Sequence, residues 1–233
     1  KKRSMPLPDK NAGLASKALA VFVKDLRLEL RSRYGLNAIF MFGLTTLAVV
    51  SFSLGQSALA PKTLGALFWI IIFFSAMSGL AQVFVREEEA QTAQTLRLAA
   101  DPDAVFLGKL VFNFSLLIIM AAVITPLFFI FTDAPTSGLF NFLVILAIAL
   151  VDLCAGTTLV AAIIAKASVK GALFAVLAFP ILLPMLIALT LSTEKVLAGE
   201  SLGEISKLLQ FLIAYAIVMI TASVLLFKYV WQE

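Results

Sequence analysis

The chain has 233 residues, 61% of them hydrophobic and only 14% charged, with a mean hydropathy of +1.04 and a formal net charge of +4. Soluble domains hold roughly 45–50% apolar residues, so an ordinary water-soluble fold is excluded. Histidine is absent, which removes His-ligated zinc, Ser-His hydrolysis and the commonest haem axial ligand from the chemistry this chain can supply by itself.

Residues 1–14 read as a flexible basic N-terminus and residues 15–34 as an interfacial helix. In "ASKALAVFVKDLRLELRSR", Leu19, Phe22, Val23, Leu26 and Leu30 fall within one stripe at helical spacing, while Lys17, Lys24 and Arg31 project away from it. Such a helix lies in the cytoplasmic interface, with its basic face toward lipid phosphates and its apolar stripe toward acyl chains or the side of a bundle.

Residues 35–233 then read as a single all-α membrane domain. About 20 apolar residues cross a hydrocarbon core of roughly 30 Å. Six windows of that kind follow: Leu36 to Leu54, Leu64 to Phe84, Val105 to Phe131, Leu139 to Ala165, Gly171 to Leu191 and Leu208 to Val230. "SALAP" at Ser57 to Pro61 imitates a signal-peptide cleavage site, but the apolar run before it is long and a proline follows Ala60. Of the 18 Lys and Arg residues, only Lys62, Lys195 and Lys207 fall on the side opposite the N-terminus. The positive-inside bias predicts both termini in the cytoplasm and accounts for the basic balance without a nucleic-acid partner.

Between spans 2 and 3, "VREEEAQTAQTLRLAADPDAVFLGKL" leaves the membrane at Arg86 and continues with good helix formers to Leu98. Asp101 and Pro102 supply an N-cap and a proline at the first helical position, opening span 3. A short cytoplasmic helix is predicted here. Glu87, Glu88 and Glu89 read either as a solvated face or as the start of a lever for a protein outside the membrane.

Asp152 lies about 13 residues from either end of span 4, close to mid-membrane at 1.5 Å per residue. With Asn113 and Thr157 it forms a candidate intramembrane polar patch, either on a substrate or coupling route or as an interhelical hydrogen-bond anchor. Cys154, the single cysteine, excludes an internal disulfide and reads as a small packing residue. In span 5, "KGALFAVLAFPILLPMLIAL", Pro180 and Pro184 loosen two successive turns on one side, and their freed carbonyls call for a protein-facing or cavity-facing environment. They are the candidate gating or kink residues. The connection Ser192 to Lys207 is the longest on the outer side and is predicted to form a short amphipathic helix and an outer contact surface. No P-loop occurs, since "LGKL" at Leu107 to Leu110 lacks the first glycine and the hydroxyl. Energy for any transport must come from elsewhere.

Three of these stretches carry a resemblance. "VKDLRLELRSR", the loop from Arg86 to Lys109 and the proline-x-x-x-proline centre of span 5 resemble, in this order, the B subunits of the cytochrome c maturation system. These are haem exporter membrane proteins of the type-2 ABC exporter class, and the likeness covers the chain from about Lys24 onward. The loop departs from the family pattern in having no glycine after the acids and Arg97 in place of an acid. The resemblance implies a permease subunit with no catalytic or metal site of its own, in the inner membrane of a bacterium. A separate ATPase chain would dock on Arg86, Glu87, Glu88, Glu89, Leu96 and Arg97 and bind the ATP. It further implies two copies or pairing with another membrane subunit, and haem handled by the complex, which includes a haem-handling membrane protein and a haem chaperone. The alternative is a type-2 exporter permease for a glycan, lipid or drug.

Overall fold

The computed structural model describes residues 13–54, 59–80, 85, 87, 89, 91–164 and 170–232. Its helices are α1 (Leu14–Ser32), α2 (Tyr34–Leu54), α3 (Pro61–Leu80), α4 (Ala93–Ala99), α5 (Pro102–Thr132), α6 (Leu139–Ile164), α7 (Lys170–Leu197) and α8 (Ser206–Gln232). Among the described residues there is no strand. Six of the helices, α2, α3 and α5 to α8, are long and apolar enough to cross a membrane, and they fall on the six windows read from sequence. The chain is an all-α membrane protein.

The bundle is held from its centre. Helices α3 and α6 are the most enclosed of the six, and α2 and α8 form its edges. In the half of the bundle away from α1, Phe68 meets Trp69, Phe128 and Phe142 edge to face at 5.0–5.1 Å between ring centroids, an arrangement aromatic quadrupoles favour. The Trp69 indole donates to Thr193 Oγ1 at 2.8 Å, tying α3 to α7. Close approach is made by glycines. A Cβ on Gly156 of α6 would lie 2.5 Å from Leu182 of α7, and one on Gly138 would lie 2.5 Å from the Val196 carbonyl.

Both ends of the chain's membrane domain meet at one face of the bundle. Asp103 in the first turn of α5 pairs with Lys228 near the end of α8 at 3.2 Å, and α1 packs along the start of α5. Asp101 does sit at the N-cap of α5 with extended backbone, but its carboxylate makes no cap bond and pairs instead with Lys17 at 2.8 Å.

Two sequence expectations are corrected. The connection Ser192 to Lys207 contains no separate amphipathic helix, because α7 runs on to Leu197. Ser192, Thr193, Val196 and Leu197 are buried there, and burial rewards continuing the helix. Gly199, at φ +97, then ends it, with Glu200 N–H bonding back to the Lys195 carbonyl at 3.0 Å. The prolines of α7 are the second case. The helix runs unbroken through both, and in the single chain Pro180 and Pro184 face outward rather than into protein. The side facing α3 and α6 is claimed by Ala178, Leu182, Met185 and Leu189, all of them buried.

Candidate functional site: a buried charge network

Helix α1 uses its faces differently from the expected division into apolar and basic halves. Its buried positions are Val21, Asp25 and Glu29, one turn apart each. The apolar Leu19 and Leu30 are 60% and 59% exposed. The reason lies in α5, where Gly108 gives α1 a notch. A Cβ at Gly108 would lie 2.6 Å from the Ala18 carbonyl and 2.7 Å from Val21, so the two backbones touch. That contact turns Asp25 onto the next residue of α5, Lys109.

Lys109 is fully buried. Its ammonium lies 3.1 Å from Asp25 Oδ2 and 3.2 Å from Glu87 Oε1. Lys24, expected to project away, folds back into the same group, 3.0 Å from Asp25 Oδ1 and in direct contact with Glu87. Two cations and two anions are therefore joined across three segments: α1, the segment after α3 that carries Glu87, and the first turns of α5. Removing ions from water costs several kcal/mol each, so such a group is tolerated only when every charge is compensated. Burial pushes the Glu87 carboxyl up, but Lys109 and Lys24, with hydrogen bonds from Lys24 and Thr92, outweigh it and hold the group at about 2. Burial pulls Lys24 down, and the facing Asp25 and Glu87 more than offset this, raising it above its ordinary value.

Glu87 also anchors Thr92. Thr92 donates its hydroxyl to Glu87 Oε2 at 2.7 Å and its N–H to the Glu87 carbonyl at 2.9 Å. Thr92 is the N-cap residue of α4, so the short helix is hung directly on the charge network. On α4, Leu96 turns inward onto the core and Leu98 is 91% exposed. Of the six residues that resemblance implicates here, Glu87 is buried and Glu89 is exposed. Arg86, Glu88 and the side chain of Arg97 lie outside the described residues.

A second acid, Glu29, shapes the corner between α1 and α2. It is buried and accepts the Leu36 N–H at 2.9 Å, capping the first span from the preceding helix. Arg33 alone separates the two helices, in the left-handed region at φ 54.

The intramembrane polar residues do not form one patch. Asn113 of α5 donates to Thr158 of α6 at 2.8 Å, and Cys154, one turn before Thr158, donates to the Leu110 carbonyl at 3.2 Å. That face of α6 looks at α5. Thr157 returns its hydroxyl to the Leu153 carbonyl of its own helix at 2.6 Å. Asp152 looks the other way, one turn from Gly156, which meets Leu182 of α7 and Met219 of α8. It is fully buried, and both its oxygens lack a hydrogen-bond partner among the described residues. Nearby, Tyr215 of α8 donates to the Ile181 carbonyl, inside the proline-flanked turn of α7. Helical spacing explains the split, since residues 152 and 154 differ by about 200° around a helix.

Sequence reasoning missed Lys24, Asp25, Lys109 and Thr92. The available signal was the i, i+4 pair Asp25 and Glu29 beside the apolar stripe of α1, together with a lone lysine inside the first turns of an apolar span. Among the described residues no group of three or more His, Cys, Asp or Glu is placed to hold a metal ion. Residues 16–229 match the family model described as CcmB protein. No curated protein matches the chain.

Proposed function

From the premise that the chain belongs to the CcmB family, the membrane subunits of a haem-export ABC system in cytochrome c biogenesis whose ATPase is a separate chain, we propose how this subunit receives work. The observation that carries the reading is the four-charge network. It links α1, α5 and Glu87, from which α4 hangs through Thr92, so a push on α4 reaches a membrane-crossing helix through these contacts.

In this reading the ATPase seats against α4 and the acidic loop, with Leu98 as the apolar contact and Glu89 beside it, and Arg86, Glu88 and Arg97 completing the surface. Both termini lie in the cytoplasm of a bacterium, and the domain sits in the inner membrane. Helix α1 braces the loop against sideways movement. Motion enters α5 at Lys109 and reaches α7, whose proline-flanked turn yields because Pro180 and Pro184 each remove a backbone donor. Two copies, or one with another membrane subunit, form the working domain. The work done on the far side is delivery of haem, or release of a haem chaperone, by partner proteins. Haem is handled by the complex, because this chain has no histidine to offer it.

The test is to purify the tagged chain from native membranes in mild detergent, wild type and Leu98→Asp in parallel, and identify co-purifying proteins by mass spectrometry. An ATPase with haem-handling proteins is expected for the wild type, and loss of the ATPase for the variant, which alters an exposed side chain and leaves the fold intact. An ATPase without haem-handling partners would transfer the mechanism to a glycan, lipid or drug exporter. No ATPase at all would overturn the proposal.

A further inference from the structure

Helix α1 has three sectors when its residues are laid out at about 100° per position. Val21, Asp25 and Glu29 face the bundle. Leu19 and Leu30 are exposed on one flank, with Phe22 and Leu26 between them and the bundle. The remaining outward sector carries Arg27 and Arg31, and Arg33 follows at the corner before α2. The five cations of this region divide cleanly. Lys17 and Lys24 are committed to Asp101, Asp25 and Glu87. Arg27, Arg31 and Arg33 are exposed and make no ion pair among the described residues.

We propose that Arg27, Arg31 and Arg33 bind the phosphate headgroups of anionic phospholipid in the leaflet where α1 lies. The inference needs only that the six long helices cross a membrane, and it stands apart from the cytochrome reading. Position fixes the occupant. Arg33 directly precedes Tyr34, the first residue of a spanning helix, so the three guanidinium groups sit at the depth where acyl chains give way to headgroups. The exposed Leu30 and Tyr34 beside them, 59% and 55% accessible, enter the acyl boundary while the arginines reach phosphate. Guanidinium is the side chain whose fork matches two phosphate oxygens at once. Lipid bound here would press α1 onto Gly108 and Lys109, on its opposite side.

The experiment uses the full-length chain in nanodiscs of phosphatidylcholine with or without phosphatidylglycerol, reading thermal unfolding and, after extraction, retained lipids by native mass spectrometry. The variants are Arg27→Gln/Arg31→Gln/Arg33→Gln and, at the other end of the bundle, Lys62→Gln. The wild type is expected to retain phosphatidylglycerol preferentially and to unfold at higher temperature when it is present. The triple variant should lose that preference by about tenfold or more while keeping its helical content, and Lys62→Gln should not change it. Equal loss in Lys62→Gln would mean bulk charge attraction and would overturn the site. Unchanged lipid preference in the triple variant, alone or with loss of a co-purifying protein, would overturn it too, the second result assigning the arginines to a protein partner. Competition by inorganic phosphate as effective as by lipid would reduce the site to free-anion binding.

Discussion

At the end of the bundle where α1 packs, Lys24, Asp25, Glu87 and Lys109 each lie within ion-pair reach of an opposite charge, whereas Asp152 in the middle of α6 buries both carboxyl oxygens without a hydrogen-bond partner among the described residues. The first region ties three segments that are distant in sequence. The second has one acid facing two helices that offer it nothing in this arrangement, although Tyr215 of one of them already serves a carbonyl of the other. Balanced burial makes a rigid joint, because any displacement separates charges in a poorly screened place. Unbalanced burial leaves a polar group that ties nothing down.

Breaking the rigid joint gives the largest effect. Lys109→Met leaves the buried Asp25 and Glu87 with Lys24 as their one remaining cation in the network, and a loss of about 3–5 kcal/mol is expected, read as a drop in thermal unfolding temperature in detergent. A drop no larger than that of an exposed-lysine control such as Lys62→Gln would show that the network carries no mechanical load.

Acid should weaken the same joint over a defined range. Glu87 is held at about 2 against an ordinary value of 4.5, so its contribution is complete above about pH 4.5 and is lost progressively as pH falls toward 2. The difference in unfolding temperature between wild type and Glu87→Gln, worth about 3 kcal/mol at neutral pH, should shrink between pH 5 and pH 3. A difference constant across that range would contradict the pairing of Glu87 with two lysines.

Smaller effects are expected at mid-membrane. Tyr215→Phe removes one hydrogen bond to the Ile181 carbonyl and should cost about 1 kcal/mol or less, with faster amide exchange confined to the proline-flanked turn of α7. Asp152→Asn should change stability least, within about 1 kcal/mol, since a neutral amide replaces an acid that holds no partner. A loss of several kcal/mol in that variant would mean Asp152 is ionised and paired, and the contrast between the two regions would collapse.

Much of the architecture was legible in the residues. Apolar runs of spanning length, Asp101 with Pro102, and the good helix formers before Leu98 located six spans and a short helix between the second and third, because length, hydropathy and capping are local properties. The family was legible too, from the order of three stretches. The site was legible only in part. Glu87 stood out as one of three acids, but nothing in its neighbourhood distinguished it from the exposed Glu89. Its two lysines lay 22 and 63 positions away.

What the sequence determined by itself, then, is the medium, the number of crossings and the places where helices start, since each follows from burying apolar side chains in lipid and satisfying backbone groups within a helix. Which faces those helices turn to one another was decided only by tertiary packing. Gly108 lets α1 approach until Asp25 meets Lys109, Gly156 draws α7 and α8 to the Asp152 side of α6, and the apolar inner residues of α7 leave Pro180 and Pro184 outside. Helical periodicity defines the faces, but close contact between residues far apart in the chain selects among them.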